Sequence, residues 1–180
     1  RKMEMWTTEP GVQFYSSNGH SGFAGNGGAI YLAGRMTVCD TVFEGNSAEN
    51  GGAIYGGGSY KTISASDSSF VGNTATGNGS AIYLTGTSSY ADSYELKLQN
   101  VSFSENTAAG NGAVYLSATR ANVLNSVFTK NTSAIGGAFY FADTKADLDT
   151  VSFAENTSTD GGALAVYDEV TVGVSVKTSD

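Results

Sequence analysis

Seventeen Asp and Glu residues against nine Lys and Arg supply most of the chain's capacity for chemistry. Hydrolysis of a sugar chain needs two carboxylates flanking the bond, about 5–10 Å apart, and Asp147 and Asp149 stand two apart on one stretch. A lyase needs a base together with cation-binding carboxylates. The basic residues read as scattered, with no two at one repeat position. His20, the single histidine, falls in the turn Asn18-Gly-His-Ser-Gly, where a capping or solvated role is expected. Cys39, the single cysteine, excludes an intrachain disulfide and a multi-cysteine metal site. It reads as a buried or half-buried structural thiol. No catalytic residue, metal or cofactor is assigned on these grounds, and an enzyme is not expected.

The remaining chemistry is aromatic and amide. Tyr31, Tyr55, Tyr83, Tyr115 and Tyr140 recur at one position, each closing a Gly-Gly-Ala-Ile-Tyr-like segment. Pointing outward, they form a row of aromatic faces tipped with hydroxyls, suited to a sugar ring or a protein partner. Tyr60, Tyr90 and Tyr94 fall in the longest insertions, where function tends to reside. Four Asn-x-Ser/Thr sequons occur, at Asn78, Asn100, Asn131 and Asn156. Asn78 reads as the first choice for a glycan and Asn100 as the second. The other two belong to a repeated tetrapeptide expected to face the core.

That tetrapeptide reveals what positions everything else. Phe-x-x-Asn occurs as Phe43 to Asn46, Phe70 to Asn73, Phe103 to Asn106, Phe128 to Asn131 and Phe153 to Asn156. A compressed copy, Phe23 to Asn26, precedes them. From Phe to the alanine of the next Gly-Gly-Ala segment is ten residues in four repeats and eleven in the one beginning at Phe70. From tyrosine to the next Phe the count varies, 12, 15, 20, 13 and 13. One side of the unit is therefore fixed, and the other accepts insertions. Self-similarity at such a period is the mark of a solenoid.

The units are strands. Before each Phe an apolar, polar, apolar triplet recurs: Met36-Thr37-Val38, Ile63-Ser64-Ala65, Leu96-Lys97-Leu98, Ala121-Asn122-Val123 and Ala146-Asp147-Leu148. This period of two marks a strand with one buried face. Three residues before the Phe stands Asp40, Asp67, Asn100, Asn125 or Thr150, types that favour a corner. The 24 glycines argue for tight turns and against helices. The expected fold is all-β: a right-handed parallel β-helix of about six coils with three short strands per coil, right-handed by the general rule for parallel crossovers. Its core would hold a ladder of Phe43, Phe70, Phe103, Phe128 and Phe153. A ladder of Asn46, Asn73, Asn106, Asn131 and Asn156 would bond rung to rung beside it. Residues 1–20 read as an N-terminal cap and 21–167 as the repeats. Residues 168–180 read as a strand, alternating Val170, Val172, Val174 and Val176 with polar residues, that either caps the last coil or joins another subunit.

Repeats combining Phe-x-x-Asn with Gly-Gly-Ala-Ile/Leu/Val resemble those of the chlamydial polymorphic outer membrane proteins, over about Phe23 to Val166. The resemblance implies a β-helical passenger displayed outside the cell, commonly as an adhesin, with both tetrapeptides linked to adhesion. The match is imperfect at Ser80, Asn111 and Ala165, and no translocating barrel is present. With a formal net charge of −8 and no basic run, nucleic acid is not an expected partner. No apolar run is long enough to span a membrane. The chain starts at Arg1 without a signal pattern, as expected of a fragment or processed product.

The functional expectation is an extracellular or cell-surface repeat domain that presents an adhesin-like surface to a protein or glycan of a host or neighbouring cell. Self-association into an end-to-end fibre is the alternative, and a polysaccharide-active enzyme a distant third. Ice binding would need a regular outward threonine array, and Thr37, Ser64, Lys97, Asn122 and Asp147 do not supply one.

Overall fold

The computed structural model describes residues 12–14, 28–56, 61–86, 94–167 and 174–177, the two end segments by backbone alone. His20, the Phe23 to Asn26 copy, Tyr60 and Tyr90 lie outside the described residues.

Three of the coils make four strands where three were expected. In the central coil these are Glu95–Gln99, Ser102–Ser104, Thr107–Ala108 and Val114–Ser117. The third of them is only two residues long, too short to show an alternation in sequence. Equivalent strands stack in parallel into four sheets, three of six strands and one of three. Beyond Thr107 the short sheet continues as single bridges, Thr107 to Thr132 and Thr132 to Thr157. Six rungs bound about five turns, in keeping with the expected parallel β-helix of about six coils.

Register follows the repeat. Phe43, Phe70, Phe103, Phe128 and Phe153 lie opposite one another in one sheet. Tyr31, Tyr55, Tyr83, Tyr115 and Tyr140 do so in another. Val12–Phe14 extends the Phe sheet, with Phe14 opposite Phe43. Val174–Lys177 pairs with Ala146–Asp149 of its own chain.

Corners explain why the chain turns where it does. Asp40, Asp67, Asn100, Asn125 and Thr150 adopt φ between 48° and 56°. Asp and Asn tolerate this left-handed region better than most residues. The second corner, two residues after each Phe, is also left-handed, at Gly45, Gly72, Glu105, Lys130 and Glu155. Gly52 is required for another reason. A Cβ there would lie 2.1 Å from the Ser80 carbonyl oxygen and 2.4 Å from that of Thr74, both backbone atoms of the next coil. Ser80 replaces glycine at the equivalent place, and its Oγ is buried without a hydrogen-bond partner.

Inside, Phe43, Phe70, Phe103 and Phe128 are fully buried and stack with centroids 4.6–4.7 Å apart. Phe153, at the end of the stack, is half-buried and lies 5.5 Å from Phe128. Beside them runs the amide ladder. Nδ2 of Asn46, Asn73, Asn106 and Asn131 each donates to Oδ1 of the next Asn at 2.9 Å. The same Oδ1 atoms accept the backbone N–H of the preceding Asn at 3.0–3.1 Å. Each rung is thereby locked to the next through side chains as well as backbone.

Candidate functional site

The tyrosine row is continuous and longer than the five residues read from sequence. Ring centroids are 5.4 Å apart from Tyr31 to Tyr55, then 5.0, 4.9 and 5.0 Å up to Tyr140. At the next rung, where Ala165 lies opposite Tyr140, the ring comes instead from Tyr167, stacked on Tyr140 at 5.2 Å. Tyr167 is two residues further along the same strand, so period two puts it on the same face. That was the available signal.

The stacking corrects one expectation. Interplanar angles of 3–7° between Tyr55, Tyr83, Tyr115 and Tyr140 mean that neighbouring rings cover one another's faces. Solvent meets ring edges and hydroxyl tips, not open aromatic faces. Tyr31 at 60% and Tyr167 at 49% are the most exposed members.

Packing also sets the phenol chemistry. Burial, then the neighbouring phenols of Tyr83 and Tyr140, push the Tyr115 pKa up from 10.0 to about 12. Tyr83 is raised by burial and by Tyr55, with a hydrogen bond to Thr85 opposing, and Tyr140 by burial and by Tyr167. The fold favours the neutral phenol, so this contribution is fully present below the unfolded pKa of about 10. It is lost as pH rises through about 12 at Tyr115. The melting temperature should therefore fall across that window, and the fall should be smaller in Tyr115→Phe, which keeps the ring and loses the proton. If all tyrosinate absorbance develops around pH 10 with the fold intact, the stack does not hold these phenols neutral.

A second face belongs to the sheet built from Arg35–Cys39, Thr62–Ser66, Glu95–Gln99, Arg120–Leu124 and Lys145–Asp149, with Val174–Lys177 at its end. Thr37, Ser64, Lys97, Asn122 and Asp147 form its central outward column. Arg35, Arg120 and Lys145 share another, in register with Thr62 and Glu95. Three of the nine basic residues thus do recur at one repeat position, contrary to the expectation that no two would. All three lie eight positions before a Phe, just outside the triplet used to align the repeats. Lys97 pairs with Glu95 at 3.0 Å.

Three other expectations change. Cys39 is exposed, because Met36 and Val38 take the inward positions of its strand. Its Sγ and the carboxylates of Asp40 and Asp67 lie within 4.8 Å of one another on an exposed corner, and Asp67 accepts a hydrogen bond from Asn100. Tyr94, expected in an exposed loop, is buried under the cation of Lys61, whose Nζ lies 5.0 Å from the ring centroid and donates to the Thr85 carbonyl. Burial lowers the Lys61 pKa. A regular hydroxyl column also exists, along the two-residue strands and the bridges that continue them: Ser47, Thr74, Thr107, Thr132 and Thr157 are exposed and in register. It is flanked by the charged corners Glu105, Lys130 and Glu155, so it forms no broad flat threonine plane.

Among the sequons, Asn131 and Asn156 spend Nδ2 on the carbonyls of Phe103 and Phe128. Asn78 is half-buried in a second amide ladder: its N–H donates to Asn50 Oδ1, and its Oδ1 accepts from Asn111 N–H, both at 2.8 Å. Asn100 is exposed at a corner. Accessibility thus favours Asn100 over Asn78, reversing the expected order.

Stacked parallel sheets, left-handed corners and internal Phe and Asn ladders define a parallel β-solenoid repeat domain. A family model described as right handed beta helix region matches residues 7–167, and the chain belongs to that family. No curated protein and no solved structure matches the chain. Among the described residues no helix is long and apolar enough to cross a membrane.

Proposed function

We propose that this β-helix repeat domain works outside the cell, at a cell surface, as an adhesin-like binding surface whose contact ridge is the tyrosine row. The observation that carries the reading is the unbroken stack from Tyr31 to Tyr167. Tyrosine offers large, rigid, amphipathic contact area at low entropic cost. Mutual stacking fixes these side chains before any partner arrives, which reduces the ordering cost of association. Ring edges and hydroxyl tips suit a protein surface on a host or neighbouring cell better than they suit the flat face of a sugar. The resemblance of the repeats to polymorphic outer membrane proteins supports surface display. This reading assigns no reaction to the domain.

Beads coated with the purified chain should adhere to cultured epithelial cells, and protease treatment of those cells should abolish adherence. Beads carrying the Tyr55/Tyr83/Tyr115→Ser variant should not adhere, while the variant's unfolding transition remains cooperative. Equal adherence by parent and variant, or adherence that survives protease and is lost to glycosidases, would count against the tyrosine ridge as a protein-binding surface.

A further inference from the structure

We propose that Tyr31 and Tyr167 are sites of oxidative phenol coupling, through which one copy of this chain is joined covalently to another by dityrosine. The co-reactants are hydrogen peroxide and a haem peroxidase, a class of enzyme that takes single electrons from exposed phenols. The coupling does not depend on what the tyrosine row binds.

The row has two kinds of member. Tyr55, Tyr83, Tyr115 and Tyr140 are half-buried, and each carries another tyrosine ring on both of its faces. Tyr31 and Tyr167 each stack on a single tyrosine among the described residues, tilted 24° and 25° from it, and they are the most exposed members. A dityrosine bond joins the carbons ortho to the two phenol oxygens and lies in the plane of both rings. Inner rings held at 3–7° with centroids 4.9–5.0 Å apart meet face to face, so no such bond can form between them. Neighbours at that spacing also crowd any ring that approaches an inner member from another chain. An end ring has one open side, and its ortho carbons can be reached.

Topology makes the coupling intermolecular. Tyr31 lies in Ile30–Leu32 and Tyr167 in Leu164–Tyr167, the two outermost strands of their six-stranded sheet, so the two cannot meet within one chain. Coupling at one of them leaves the other free to react again. In the reaction each phenol gives up one electron and one proton. The two phenoxyl radicals join by a carbon–carbon bond, and the hydrogen on each bonded carbon moves to its phenol oxygen, which restores both aromatic rings. The peroxide takes up the two electrons and two protons and leaves as two waters. Tyr94 is buried against Lys61 and is withheld from this chemistry.

The test is to treat the purified chain with hydrogen peroxide and a haem peroxidase. Dimers and longer oligomers should form that carry dityrosine fluorescence and persist on a reducing gel. Reduction removes any disulfide made by the exposed Cys39. Mass spectrometry of the digested dimer should place the cross-links on Tyr31 and Tyr167 and recover the peptides of the inner rings unmodified. The Tyr31→Phe/Tyr167→Phe variant keeps both rings and removes both reactive phenols. It should lose most of the dimer while unfolding as the parent does. Absence of dimer from the parent, undiminished dimer in the double variant, or cross-links mapped mainly to the inner rings or to Tyr15, Tyr60 or Tyr90 would each overturn the proposal.

Discussion

Replacing Phe103 by Ala is expected to lower the free energy of unfolding by about 3–5 kcal/mol, the range for deleting a fully buried aromatic. The site cannot collapse to fill the gap. Phe103 is fully buried, with Phe70 and Phe128 each 4.6 Å away and its strand paired on both sides. Inward motion of one rung would break ladders in every sheet of that coil. Phe153→Ala provides the comparison. Phe153 is half-buried at the end of the stack, with Phe128 on one side and no further strand of the Phe sheet beyond it among the described residues. It should cost clearly less. Because each coil contacts chiefly its neighbours, the central variant should also broaden the denaturant transition, as the solenoid halves partly uncouple. Equal losses for the two variants, measured as unfolding midpoints in urea, would show that the stack is not the continuous core described here.

The parts of this architecture that were legible in the sequence are those set by one residue at one fixed offset. Phe, its Asn and the corner residue each recur at a constant distance, and the outward Tyr at one that slips by a single residue only after Phe70. A constant distance is what register demands. The features that escaped notice fail that condition. Thr74–Ala75 and its equivalents are too short to alternate. Tyr167 continues the aromatic row from a position displaced by two residues. The second corner is glycine at Gly45 and Gly72 but charged at Glu105, Lys130 and Glu155, so its shared left-handed backbone is hidden by changing chemistry. The amide ladder of Asn50, Asn78 and Asn111 is masked because its spacing to the following alanine slips by one residue at Asn111. The exposure of Cys39 was within reach, since its strand's alternation already placed Met36 and Val38 inside. Of the candidate sites, the tyrosine row was readable as a column. Its edge-on presentation was not, because ring tilt is a product of stacking rather than of spacing. The column of Arg35, Arg120 and Lys145 emerges only when separate coils are laid side by side.

Asn106→Ala is the second substitution with a large expected effect, about 3–4 kcal/mol from four lost side-chain hydrogen bonds at roughly 1 kcal/mol each. The Oδ1 atom of Asn106 accepts from the backbone N–H and from Nδ2 of Asn73. Its Nδ2 donates to the Phe70 carbonyl and to Asn131 Oδ1. All four partners are left in a dry interior, where Asn73, Asn106 and Asn131 are fully buried. Between the amides the ladder is also directional, Nδ2 of Asn46, Asn73, Asn106 and Asn131 each donating to Oδ1 of the higher-numbered rung, so these amide dipoles align and polarise one another. Asn106→Asp separates loss of the donor from loss of the side chain. It preserves the size and the accepting oxygen, but it aims a second carboxylate oxygen at the Phe70 carbonyl and at Asn131 Oδ1. Burial and these two oxygens raise the folded-state pKa of the new carboxyl above its unfolded value. The protonated form, which can donate one hydrogen bond, is then the stable one. By linkage its contribution is present below the unfolded pKa and is lost as pH rises through the folded pKa. Asn106→Asp should therefore lie closest to the parent in mildly acidic buffer and fall furthest behind at neutral pH, while Asn106→Ala should trail by a constant margin. Parallel pH profiles for the two variants would mean that the Asn106 amide does not donate into the ladder.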